Sequence, residues 1–156
     1  MAILRLSSDG KLHKYGYPVG DISTQNERFR EYIGNGCDIY ERVHPKRLYT
    51  EFNCSGVPDR KRPGIAISML VDEEGRLKDN EINVLASYLY GADIHGQPIV
   101  GNVLFVGEKY DEDRELCFCS IDEYEAELLT SKLKMMIALH RDAIERRIPY
   151  EGPAYC

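Results

Sequence analysis

Residues 65–71, Ile65-Ala66-Ile67-Ser68-Met69-Leu70-Val71, carry a single polar side chain. A strand with one wet face alternates apolar and polar residues, whereas a run apolar at nearly every step belongs to a central strand buried on both faces. Residues 99–107, Ile99-Val100-Gly101-Asn102-Val103-Leu104-Phe105-Val106-Gly107, form a second such run. Gly101 within it marks a bulge or a close backbone approach. Between the runs, Asp72-Glu73-Glu74-Gly75 reads as a turn and Arg76-Leu77-Lys78 as a brief return. Asn80 then caps a helix with Ile82, Leu85, Ala86 and Leu89 on one face, ended by Gly91. Residues 65–107 are therefore the structural heart of the chain.

The flanking segments supply partners for that heart. Residues 2–6 and 12–17 read as a hairpin around Ser8-Asp9-Gly10. Thr24, with Glu27 three residues on, starts a helix that buries Phe29, Tyr32 and Ile33 and stops at Gly34. Asn35-Gly36 turns into a strand over 37–43. In 44–64, Pro45, Pro58, Pro63, Gly56 and Gly64 prevent long elements and leave 48–52 as an edge strand. An acidic turn over 110–115 and a short strand over 116–119 follow. Ser120 and Glu123 form a capping-box pattern for the longest helix, 121–147, with an apolar face of Ile121, Tyr124, Leu128, Met135, Leu139 and Ala143. Its acids lie early and its bases late, matching the helix dipole, and Pro149 ends it. The expectation is an α+β fold: a small mixed or antiparallel sheet packed with two short helices and a long C-terminal helix. We read one domain over 1–156, a core of 1–120 with a helical arm of 121–156.

The chain's 156 residues suffice for one core without staples, and 43% hydrophobic with 29% charged residues is a globular balance. A net charge of −6 argues against direct nucleic-acid binding and against anionic membranes. No apolar run reaches the roughly 20 residues that span a bilayer. Met1 to Leu6 lacks the apolar core and cleavage site of a signal peptide, so the expected compartment is the cytoplasm. Cys37, Cys54, Cys117, Cys119 and Cys156 have no framework spacing and read as ordinary thiols.

Three local patterns resemble a known family. Asn35-Gly36-Cys37-Asp38-Ile39-Tyr40 resembles the GG-x-I-E strand entry of the DUF3846 family. Residues 71–77 with Asn80 and Asn83 resemble its n-E-x-G-k-L…N segment. Residues 94–107 are similar to its D-x-I-x-G-x-x-v-v-G ending, and Ser120-Ile121-Asp122-Glu123 matches a common start of its last helix. The resemblance covers roughly 1–129 and implies a bacterial setting, as cargo of phages, plasmids or conjugative elements. It implies no particular activity. The 44–64 segment and the helix beyond Leu129 depart from it.

The candidate chemistry lies around that framework. Residues 41–62 hold six bases against three acids, net +3, which leaves −9 for the remainder of the chain. Arg42, Lys46, Arg47, Arg60, Lys61 and Arg62 are candidates for a phosphate or nucleotide, with Tyr49 and Phe52 available to stack on a base. The competing reading is a solvated loop. His44, His95 and His140 suggest metal or acid–base work, with Asp93 and His95 facing one way in an extended segment, but no zinc-ligand spacing occurs. The acidic run Asp111-Glu112-Asp113-Arg114-Glu115 lacks calcium-loop spacing. Neither nucleophile elbow nor phosphate-binding glycine fingerprint is present, and no metal or cofactor is called for. Met135, Met136 and Leu139 on the long helix are candidates for a partner interface or homo-oligomer contact. The leading expectation is a non-enzymatic accessory binding protein that sequesters a nucleotide-like ligand or inhibits a host protein. A metal-dependent hydrolase using histidines and carboxylates, and a structural subunit, are the alternatives.

Overall fold

Both apolar runs become neighbouring strands at the centre of one antiparallel sheet. The computed structural model describes residues 2–147, except for the side chains of 140–143, 145 and 147. The strands are β1 (Ala2–Leu6), β2 (Leu12–Gly16), β3 (Tyr40–Val43), β4 (Ala66–Asp72), β5 (Val103–Tyr110) and β6 (Leu116–Cys119). Their order is β2-β1-β5-β4-β3, and β6 also pairs with β5. β1 and β6 share one edge of β5: Leu4 lies opposite Phe105, and Cys119 opposite Gly107.

Every residue of β4 is buried because helices cover both faces of the sheet. On one face, Leu4, Leu6, Ile67, Met69, Val71, Val103 and Phe105 pack against α2 (Lys46–Glu51), α3 (Val84–Tyr90) and α5 (Glu123–Arg147). On the other, Ile3, Leu70, Leu104 and Val106 meet Phe29 and Ile33 of α1 (Ile22–Ile33). α4 (Ala92–His95) is a single turn following α3.

Several boundaries differ from the sequence reading, each for a local reason. Asp21, not Thr24, caps α1, accepting from Thr24 N at 2.8 Å. Residues 48–52 are not a strand. α2 presents Leu48 to the core, and Ser55 pairs with Ala66 along the stretch of β4 that β3 leaves open. Residues 75–77 form a 3₁₀ turn, and β3 begins only at Tyr40. Asn83, not Asn80, caps α3, because residues 81–83 are held extended: Gly101 N donates to Glu81 O at 2.8 Å and Asn83 N to Ile99 O at 2.9 Å. β5 accordingly starts at Val103, and Gly101, at φ +78°, receives the close approach of the Asn80 side chain.

Ser120 lies three residues before the start of α5, and the capping oxygen comes from Asp122, which accepts from Glu125 N. Ile121 N instead donates to Ala2 O at 2.8 Å. Gly64 (φ +84°) passes so near this junction that an added Cβ would stand 2.2 Å from Ser120 O. α5 buries Ala126, Leu129, Leu133, Met136 and Ile144 in the core, so it joins the body instead of standing off as an arm. Tyr124, Met135 and Leu139, which the sequence places on the helix's apolar face, point to solvent. Pro149, Cys156 and the side chains of His140 and Ala143 lie outside the described residues. No helix among the described residues is long and apolar enough to cross a membrane.

Candidate functional site

The basic segment of 42–62 does not converge on one site. Arg42, on β3, spans to the neighbouring strands: Nε donates to Ser68 Oγ at 3.2 Å, and Nη2 lies 2.6 Å from Glu108 Oε2. Ser68 Oγ donates to Glu108 Oε1 at 2.5 Å. This explains the lone polar residue of the β4 run: Ser68 hydrogen-bonds one oxygen of a fully buried carboxylate, and Arg42 ion-pairs with the other, which accepts no hydrogen bond among the described residues. Arg47 is clamped between Asp93 and the Tyr88 carbonyl, with its guanidinium 4.2 Å over the Tyr88 ring. The Tyr49 hydroxyl donates to Ile67 O at 2.5 Å, and burial pushes its phenol up to about 12. These three residues are engaged inside the fold and are not free to grip a phosphate or stack on a base. Lys46, Arg60, Lys61 and Arg62 remain exposed, the last three on a turn organised by Asp59.

The histidines are similarly dispersed. His44 lies against Tyr49, while His95 stacks edge-on to Tyr90 and accepts from Gln97 N. Asp93 and His95 sit on a helical turn, not an extended segment, and Asp93 faces Arg47. No group of three His, Cys, Asp or Glu side chains suited to holding a metal occurs among the described residues. Met136 is core, whereas Met135 and Leu139 are 55% and 69% exposed.

A concave feature lies elsewhere, at the end of the sheet where β4 finishes and β3 begins. A cleft of about 220 Å³ is walled by Glu41 of β3, Val71 and Asp72 of β4, Glu73 and Arg76 of the following turn, Tyr90 of α3, and residues 97–100. Arg76 Nη2 donates to Pro98 O at 3.1 Å and ties the turn to the opposite wall. Gly75 lets that turn lie against Val100, where an added Cβ would meet a methyl at 2.9 Å. Asp72 is spent on structure: Oδ1 accepts from Glu74 N and Oδ2 pairs with Lys78 Nζ at 2.8 Å. Lys78 also donates to Gly36 O.

Glu41 and Glu73 are different. Neither carboxylate has a hydrogen-bond or ion-pair partner among the described residues. Partial desolvation in the cleft, reinforced by Glu73 and opposed by Arg76, holds the Glu41 carboxyl above the ordinary glutamate range. Two accessible carboxylates stand beside one anchored guanidinium, with a tyrosine ring and Gln97 in the wall, an arrangement whose chemistry suits a cationic group of side-chain size.

Sequence reasoning missed this cleft although Val71, Asp72, Glu73, Arg76 and residues 97–100 fall in segments that carry the family likeness; Glu41 and Tyr90 lie outside them. Period-2 and period-3.6 patterns report which side chains face a core. They are silent on which acids from separate turns meet. No family model, curated protein or solved structure matches the chain.

Proposed function

We infer that the protein is a non-enzymatic binding protein of a bacterial mobile element, the setting that the DUF3846 likeness implies. It acts by taking a basic side chain of a protein partner, an arginine or lysine, into the cleft between Glu41 and Glu73. The observation that carries this reading is the pair of uncommitted carboxylates at the mouth of a preformed cleft. Such a pair gains most from a partner that brings its own cation, because desolvating unpaired charge costs free energy that the ion pair offsets. The strongly negative remainder of the chain favours encounter with a basic surface and disfavours a polyanion. Tyr90 supplies the ring over which a guanidinium or ammonium can lie.

The test is NMR titration with N-acetyl-arginine methylamide, compared with a nucleoside triphosphate. Expected shifts centre on Glu41, Glu73, Tyr90 and Gln97, and they vanish in Glu41→Gln/Glu73→Gln. Shifts confined to residues 59–62, produced by the nucleotide alone, would overturn the reading in favour of phosphate capture. Undiminished arginine binding by the double variant would place the site elsewhere.

A further inference from the structure

We propose that the protein forms an antiparallel homodimer through the outward face of α5. A solvent-facing helix surface is ordinarily charged and polar throughout. On α5, the side opposite Ala126, Leu129, Leu133 and Met136 instead carries Tyr124, Leu128, Ser131, Met135 and Ala138, spaced alternately by four and three residues. That spacing keeps one seam on a single line along the helix, as a second helix requires. Tyr124 and Met135 are 64% and 55% exposed, and Leu139 borders the same seam. Large residues alternate with the small Ser131 and Ala138, so ridges on one helix have hollows to meet on another. Beside the seam a groove of about 340 Å³ runs between α5 and Lys14 of β2, walled by Glu127, Thr130 and Ser131.

The charges select the occupant. Glu127 and Lys134 lie one heptad apart on the same flank of the seam, both exposed. In an antiparallel pair that sets Leu128 opposite Ser131 of a second copy and Tyr124 opposite its Met135, Glu127 of each copy faces Lys134 of the other. Two-fold symmetry makes this contact twice. A parallel pair would instead turn Glu127 toward the opposite flank of its partner, where Lys132 stands, and Lys134 toward Leu139, which carries no charge to meet it. The seam and its flank are thus complementary to themselves in one direction only. On the opposite flank Lys132 is unavailable, held by Phe52, whose carbonyl and ring it contacts.

The experiment is sedimentation equilibrium of the full chain at micromolar concentration and low salt, with circular dichroism as the folding control. The wild-type protein should be a dimer. Glu127→Lys and Lys134→Glu should each weaken it about tenfold, since each replaces two attractions with two repulsions. The variant carrying both should recover wild-type association, and Met135→Lys should give a folded monomer. A monomeric wild type, a dimer indifferent to Met135→Lys, or a double charge reversal that fails to restore association would each overturn the proposal.

Discussion

Arg47 Nη2 donates to Asp93 Oδ2 at 3.0 Å, and the two side chains are only 12% and 8% exposed. The pair joins α2 to α4, and Arg47 further donates to Tyr88 O at 2.8 Å, so one guanidinium fastens the 44–64 segment to the helical layer. Removing one member strands the other in a poorly hydrated site. Arg47→Ala should therefore destabilise the fold by about 3–5 kcal/mol in urea unfolding. Asp93→Asn, which keeps an acceptor, should cost less.

Asn83 carries three hydrogen bonds from a nearly fully buried position. Its Oδ1 accepts from Ala86 N at 3.2 Å, and its Nδ2 donates to Leu6 O at 3.0 Å and Gly101 O at 2.9 Å. Loss of a helix cap together with two buried carbonyls should cost about 2–4 kcal/mol in Asn83→Ala. Asn83→Asp retains the cap but points a carboxylate at two carbonyl oxygens, so it should be no better. Chemical denaturation of both variants checks this.

Glu41→Gln should separate binding from stability. A carboxyl whose folded-state pKa is raised binds protons more readily in the folded chain than in the unfolded one. Its contribution to stability is therefore most favourable below the ordinary glutamate value and declines as pH rises through the raised one. At neutral pH the glutamine variant should melt slightly higher than wild type, and the difference should close as pH falls below about 4. The gain is small because Glu41 stands open at the cleft mouth. The same variant should bind the arginine probe more weakly.

The thiols should react unequally. Burial pushes Cys37 and Cys119 up to about 11 and raises Cys54, while Cys117 is partly exposed. With Cys156→Ser as background, a disulfide reagent at pH 8 should label Cys117 first and the three buried thiols only on unfolding. Mass mapping of early products checks the order.

The central strands were legible because burial on both faces leaves an unbroken apolar signature, as in Ala66–Asp72. The 44–64 segment was misread because Leu48 and Tyr49 fit a strand as well as a helix, and α2 is held by Arg47 and Tyr49 reaching distant partners. The face of α5 was misread for a related reason. Tyr124, Leu128 and Met135 mark an apolar stripe as clearly as Ala126, Leu129, Leu133 and Met136 do. Periodicity cannot say which stripe meets the body when a helix has two. The cleft was invisible because Glu41 and Glu73 are brought together only by pairing between β3 and β4, with Glu41 opposite Val71.

The sheet order has a consequence for how the chain is made. Leu4 finds its partner in Phe105, and Ile121 closes against Ala2. During synthesis the hairpin of β1 and β2 must therefore wait, with one edge of an apolar strand unpaired, until β5 has left the ribosome. Sheets assembled from such distant pairings form slowly, and an open apolar edge invites association with other nascent chains. The chain is thus most exposed to aggregation in the interval between completing its first hairpin and releasing its fifth strand.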